Sequence, residues 1–149
     1  MWWRPPVAAL VLSALSVFVH SIGTYINLHL IEWSLKRKRT VSLTHSWSLM
    51  VRLVVLLVIM HSIEVAIWAE FYVWQNCFAN WHTAYYFSLV TYTTLGYGDV
   101  LLPQAWRSLG GWEAMIGVLM FGWSTAALMS FLHHVQSARI GKYFQKTAD

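Results

Sequence analysis

Near the middle of the chain stands Thr91-Tyr92-Thr93-Thr94-Leu95-Gly96-Tyr97-Gly98-Asp99. Successive backbone carbonyls can point the same way only if dihedrals alternate between ordinary and left-handed regions, and Gly96 and Gly98 permit this at little steric cost. A row of such oxygens has the chemistry to replace the hydration shell of a bare cation inside a narrow axial pore. Thr94, Leu95, Gly96, Tyr97 and Gly98 form the candidate coordinating run, with the Thr94 hydroxyl as a further oxygen. Tyr97, between the two glycines, must point its ring outward into a supporting cuff. A bare Gly-x-Gly is common in loops. Here it lies between two long apolar spans, the setting that a pore lining requires.

The elements that hold this stretch belong to a membrane. Of 149 residues, 58% are hydrophobic and 11% charged, against roughly 25% charged in ordinary soluble domains. A net charge of +4 might point to nucleic acid, but the basic residues fall at the ends of apolar spans, where membrane topology accounts for them. No nucleic-acid partner is expected. The single cysteine, Cys77, excludes an internal disulfide, and no Cys/His spacing suggests a resident metal or cofactor. Neither a nucleophile elbow nor a metal-hydrolase motif is present, so no enzyme is expected.

Residues 1–35 read as an N-terminal membrane helix. Its apolar run from Val7 to Trp33 exceeds a signal-peptide core of about 7–15 residues and is flanked by Trp2, Trp3 and Arg4 as interfacial anchors. Ser13, Ser16, His20, Gly23 or Thr24, and Asn27 recur at three- and four-residue spacing, a polar stripe that should meet protein. Residues 36–46 form a basic loop beginning Lys36-Arg37-Lys38-Arg39. A second span covers 47–74. A polar turn from Gln75 to Asn80 follows, with Asn80 placed to cap a helix from Trp81. Residues 81–93 are too few to cross a bilayer, which takes about 20, and predict a re-entrant helix. After the run at 94–98, an outer loop from Val100 to Gly111 leads to a last span over 112–135. The tail at 136–149 is too short for a domain.

These residues resemble the pore-domain family of potassium channels. The family signature Thr-Val-Gly-Tyr-Gly-Asp stands here with Leu95 in place of valine, and the resemblance covers about Met50 to Val135. It implies an all-α membrane protein with three transmembrane helices, a re-entrant pore helix and a selectivity-filter loop. The outer helix would be 47–74, the pore helix 81–93 and the inner helix 112–135, preceded by an extra N-terminal helix at 1–35 that minimal two-span channels lack. One pore loop surrounds a quarter of an ion, so a homotetramer of four-fold symmetry is expected. Its function would be passive, selective conduction of K+ across the bilayer; the alternatives are a less selective cation channel or a non-conducting regulatory subunit. Gly122 sits where the family often has a hinge, and Gly117 is a second candidate.

Two departures from the family pattern stand out. Related bacterial channels often carry a glutamate nine residues before the filter aspartate, a place held here by Val90. Two positions where tryptophans often support the filter are Tyr86 and Phe87; Tyr86 can still reach Asp99, whereas Phe87 has no donor.

Charge fixes the expected topology. Lys36, Arg37, Lys38, Arg39, Arg52, Arg139, Lys142 and Lys146 lie on one side, and Arg4 and Arg107 on the other, which places the N-terminus outside and the C-terminus in the cytoplasm of an inner-membrane protein. No Arg/Lys repeat marks a voltage sensor. His20, His61 and Glu64 fall near mid-membrane, where ionisable groups need partners, and antiparallel helices bring them to similar depth. His45, His133 and His134 lie at the cytoplasmic helix ends, where acid would crowd like charges around the axis, and are the candidate pH gate.

Overall fold

The computed structural model describes residues 3–37 and 43–146. Among these the chain is helical and has no strand: α1 spans Arg4–Arg37, α2 Leu43–Trp74, α3 Trp81–Tyr92 and α4 Ser108–Lys146, with a 3-10 turn at Gln104–Trp106. Three stretches are long and apolar enough to cross a membrane, Arg4–Leu30, Trp47–Trp74 and Gln104–His133. The protein is thus an all-helical membrane protein with three candidate spans and one short helix between the second and third.

Local sequence explains the turns around α3. Asn76 takes a left-handed φ of 55° just past α2. Cys77 N donates to Tyr72 O (2.9 Å) and Asn76 N to Val73 O (2.9 Å), the paired bonds of a Schellman ending in which Asn stands in for Gly. Asn80 then opens α3, its Oδ1 accepting from Thr83 N and Thr83 Oγ1, both at 2.9 Å.

Several boundaries differ from the sequence expectation: α1 runs to Arg37, two residues into the expected basic loop. Helix α2 begins at Leu43 rather than 47, and α3 ends at Tyr92, with Thr93 as its C-cap. Helix α4 starts at Ser108 and runs to Lys146, so the end of the loop expected up to Gly111 and much of the expected tail are helical. Beyond Gln136, propagation continues because each added residue brings a hydrogen bond without a new nucleus.

α3 is wedged between α2 and α4, around a core containing Trp68, Tyr72, Ala84, Phe87 and Leu109. α1 packs along both α2 and α4, and Ser16, His20, Thr24 and Asn27 of its polar stripe are buried. The stripe was expected to meet protein; it meets both α2 and α4, in the groove between them. At Gly23 a Cβ would lie 2.4 Å from Met60 Sδ, so α1 and α2 approach closely there.

Candidate functional site

Positive φ recurs at every second residue of the glycine-bearing run: Thr94 at 61°, Gly96 at 57° and Gly98 at 78°. This is the alternation inferred from the two glycines, with Thr94 as a third member. A Cβ on Gly96 or Gly98 would meet nothing within 4 Å. Backbone conformation, not space, therefore requires glycine there. Left-handed backbone at a threonine costs about 1–3 kcal/mol and needs surrounding structure to hold it. Thr94 N donates to Thr91 O (2.9 Å), and Leu95 N and Gly96 N both donate to Val90 O, at 2.9 and 3.2 Å. The run is thus tied to the last turn of α3, while Thr93 through Asp99 remain exposed on the single chain.

The depth of this run follows from Tyr92. Its hydroxyl donates to Glu64 Oε2. Glu64 precedes the end of α2 at Trp74 by ten residues, or about 15 Å of helix rise, half of a hydrocarbon layer about 30 Å thick. Gly117 of α4 faces the same place, where a Cβ would come 2.0 Å from Tyr92 O. A short helix therefore enters to mid-depth, and an irregular segment returns beside it.

The model of the ion channel family matches residues 51–134, more than half of the chain, and so takes in nearly all of the spanning part of α2, all of α3, the glycine-bearing run and the spanning part of α4. The chain belongs to the ion channel family. No curated protein and no solved structure matches it. Membership makes the protein a multi-pass membrane channel, of a kind that is not an enzyme, and the glycine-bearing run becomes its candidate filter. Helix α1 lies outside the matched residues.

Around the candidate filter, Tyr86 OH donates to Asp99 Oδ2 at 2.7 Å. That bond, followed by burial and the nearby negative charge, holds the Tyr86 phenol above its ordinary value. Phe87 does not form a polar contact; its ring packs 5.4 Å from Tyr72 and 5.2 Å from Phe78, in the hydrophobic core. Tyr86, Phe87, Val90, Gly96, Gly98 and Asp99 line a hollow of about 160 Å³ between α3 and the filter. Tyr97 is exposed on the single chain, with no cuff from its own subunit.

The three mid-membrane groups named from sequence come together. His20 Nδ1 lies 2.8 Å from Glu64 Oε1, and His61 Nδ1 3.7 Å from Glu64 Oε2. Spacing did not reveal two further members: Tyr92 OH lies 3.1 Å from His61 Nδ1, and Ser124 Oγ lies 2.9 Å from His61 Nε2 and 3.3 Å from His20 Nε2. His20, His61 and Glu64 each offer a ligand atom within 4.8 Å of the others, a reach that suits a metal ion. With one carboxylate a divalent ion would leave net positive charge at mid-membrane, whereas the hydrogen bonds employ the same atoms at no net charge.

A second buried carboxyl escaped the sequence reading. Glu113 is fully buried, with Tyr72 OH donating to its Oε2 at 2.7 Å and Ser88 Oγ contacting its Oε1. Ser88 Oγ also donates to Val65 O at 2.9 Å. A hydroxyl has one proton, and a carbonyl has none to give. With the Ser88 proton on Val65 O, the contact to Glu113 requires the carboxyl to be the donor.

The hinge candidates separate. Gly117 has a packing reason in Tyr92, while a Cβ on Gly122 would meet nothing within 4 Å. Of the candidate pH gate, His133 is exposed near the far end of α4; the side chains of His45 and His134 lie outside the described residues.

Proposed function

We propose that this channel is a homotetramer that conducts K+ selectively and passively, with carbonyls of Thr94, Leu95, Gly96 and Tyr97 and the Thr94 hydroxyl replacing the ion's water. The observation that carries the reading is an irregular, exposed, polar segment at mid-membrane depth with φ positive at Thr94, Gly96 and Gly98. Lipid cannot face such a backbone, because its polar groups would lie unsatisfied in hydrocarbon. Water and other copies of the same loop can. Four copies around one axis close a ring of carbonyls and give each exposed Tyr97 a neighbouring subunit as its cuff. The excess of basic residues on one side supports an N-terminus outside and a C-terminus in the cytoplasm, and Gly122 is the place at which α4 bends to open the inner mouth.

Reconstitution tests this directly. Single-channel recording in opposed K+ and Na+ gradients is expected to give reversal near the K+ potential, with Gly96→Ala or Gly98→Ala abolishing selective current. Equal permeation of Na+ through the unmodified protein would overturn the selectivity, and a non-tetrameric mass in detergent would overturn the assembly.

A further inference from the structure

His20, Glu64, Tyr92, His61 and Ser124 form a closed circuit in which each residue touches the next and Ser124 returns to His20. The five residues come from all four helices: His20 from α1, His61 and Glu64 from α2, Tyr92 from α3 and Ser124 from α4. His20, Glu64 and Tyr92 have no exposed surface, and Ser124 is 6% exposed. The rings of Trp123 and Phe121 close the sides, 5.5 Å from His20 and 4.7 Å from His61.

Protons can be counted around this circuit. A neutral glutamic acid, tyrosine and serine each bring one hydrogen-bonding proton, and each neutral imidazole brings one donor and one acceptor. That makes one proton for each of the five contacts, all running in one direction. Moving the proton between Glu64 and His20 gives an ion pair with the same total and the same zero net charge. One proton fewer leaves two acceptors facing each other, and one more leaves two donors facing each other. Only the neutral ring is fully bonded, and neutrality is also what lets two histidines and a glutamate lie at mid-membrane.

Tyr92 links the ring to the filter. It is the last residue of α3, with its hydroxyl in the ring and its carbonyl against Gly117. The next residue is the C-cap Thr93, and then comes Thr94 in its left-handed conformation.

We propose that the ring positions the inner end of the filter and that His20, on the helix outside the matched family region, is the positioning residue that closes it. Removing His20 leaves Glu64 and Ser124 each short of a partner in a buried site, and the loosened Tyr92 transmits the change to Thr94.

The inference rests on the filter reading, and the test separates the two. The full-length protein in planar bilayers is recorded as wild type, His20→Leu, His20→Gln, Tyr92→Phe and the His20→Leu/Tyr92→Phe double variant. Selective K+ current in the wild type addresses the filter reading alone. The ring predicts that His20→Leu lowers the K+/Na+ permeability ratio at least about tenfold, the scale set by each of the two buried polar groups left unpaired. His20→Gln, which keeps one donor and one acceptor, restores the ratio. The double variant is expected to be no worse than either single change, because an open ring cannot be opened twice. A wild-type ratio in His20→Leu, or additive losses in the double variant, would overturn the proposal. A second readout needs no current and serves equally if His20→Leu fails to assemble. In side-chain 15N NMR of the reconstituted protein, Tyr92→Phe must shift the ring nitrogens of His20, whose own hydrogen bonds run to Glu64 and Ser124. Unshifted His20 resonances would overturn the closed ring.

Discussion

Gly117 of α4 faces the carbonyl oxygen of Tyr92 so closely that a Cβ on it would lie 2.0 Å from that oxygen. The clash is with backbone, which cannot swing aside as a side chain can. Gly117→Ala is therefore expected to push α3 and α4 apart, at about 1–3 kcal/mol or more, seen as a lower unfolding temperature in detergent and as lost selective current. Gly122→Ala has open space and gains up to about 1 kcal/mol of helix propensity. It should melt no lower than wild type, and if α4 bends at Gly122 its open probability falls. Equal melting of the two variants would contradict the contrast.

The bond from Tyr86 to Asp99 predicts a shorter conducting lifetime for Tyr86→Phe, read from single-channel dwell times. Its pH dependence has a definite sign. The phenol is held above its ordinary value, so the donor is present at every pH below about 10 and is lost only as pH rises through the raised value. The dwell-time difference between wild type and Tyr86→Phe should stay constant from about pH 6 to 9. A difference that vanishes within that range would remove Tyr86 as the donor.

At Glu113 the geometry asks for one donor toward Ser88 and one acceptor toward Tyr72. An amide supplies both. Glu113→Gln is therefore expected to keep stability within about 1 kcal/mol, whereas Glu113→Ala strands Tyr72 and Ser88 and costs about 2–5 kcal/mol from lost bonds and the cavity left behind. Thermal melts of the two purified variants give the comparison.

Asn80 caps α3 through Thr83 N. Replacing it with alanine should cost about 1 kcal/mol and speed amide exchange in the first turn of α3 while leaving α1 unchanged. Uniform exchange throughout would mean that the cap has no local role.

Much of this was legible in residue spacing. Gly96 and Gly98 announced their left-handed backbone, Asn80 its cap, and Ser16, His20, Thr24 and Asn27 a shared buried face. Thr94 gave no such signal, because a threonine takes a positive φ only when neighbouring bonds compel it. Glu113 looked like an ordinary acid at a helix start, since its partners Tyr72 and Ser88 lie 41 and 25 positions away. The same distance hid Ser124 from His20. Nor does sequence distinguish Gly117 from Gly122; the difference lies in which one faces Tyr92. The helical extension of α4 past Gln136 was missed because its residues carry a weak apolar pattern, although only Gly141 disfavours helix among them.

The polar face of α1 also has a history in time. During synthesis α1 emerges before the helices it packs on: Glu64 follows His20 by 44 positions, Trp68 follows Ser16 by 52, and Ser124 follows His20 by 104. The polar face of α1 must therefore wait for its partners. Until α4 has been made, His20 lacks one of its two neighbours, so α1 can rest beside α2 but cannot finish docking. Docking of α1 is thus completed by α4, and a chain cut short before Ser124 carries an unsatisfied histidine that marks it as unfinished.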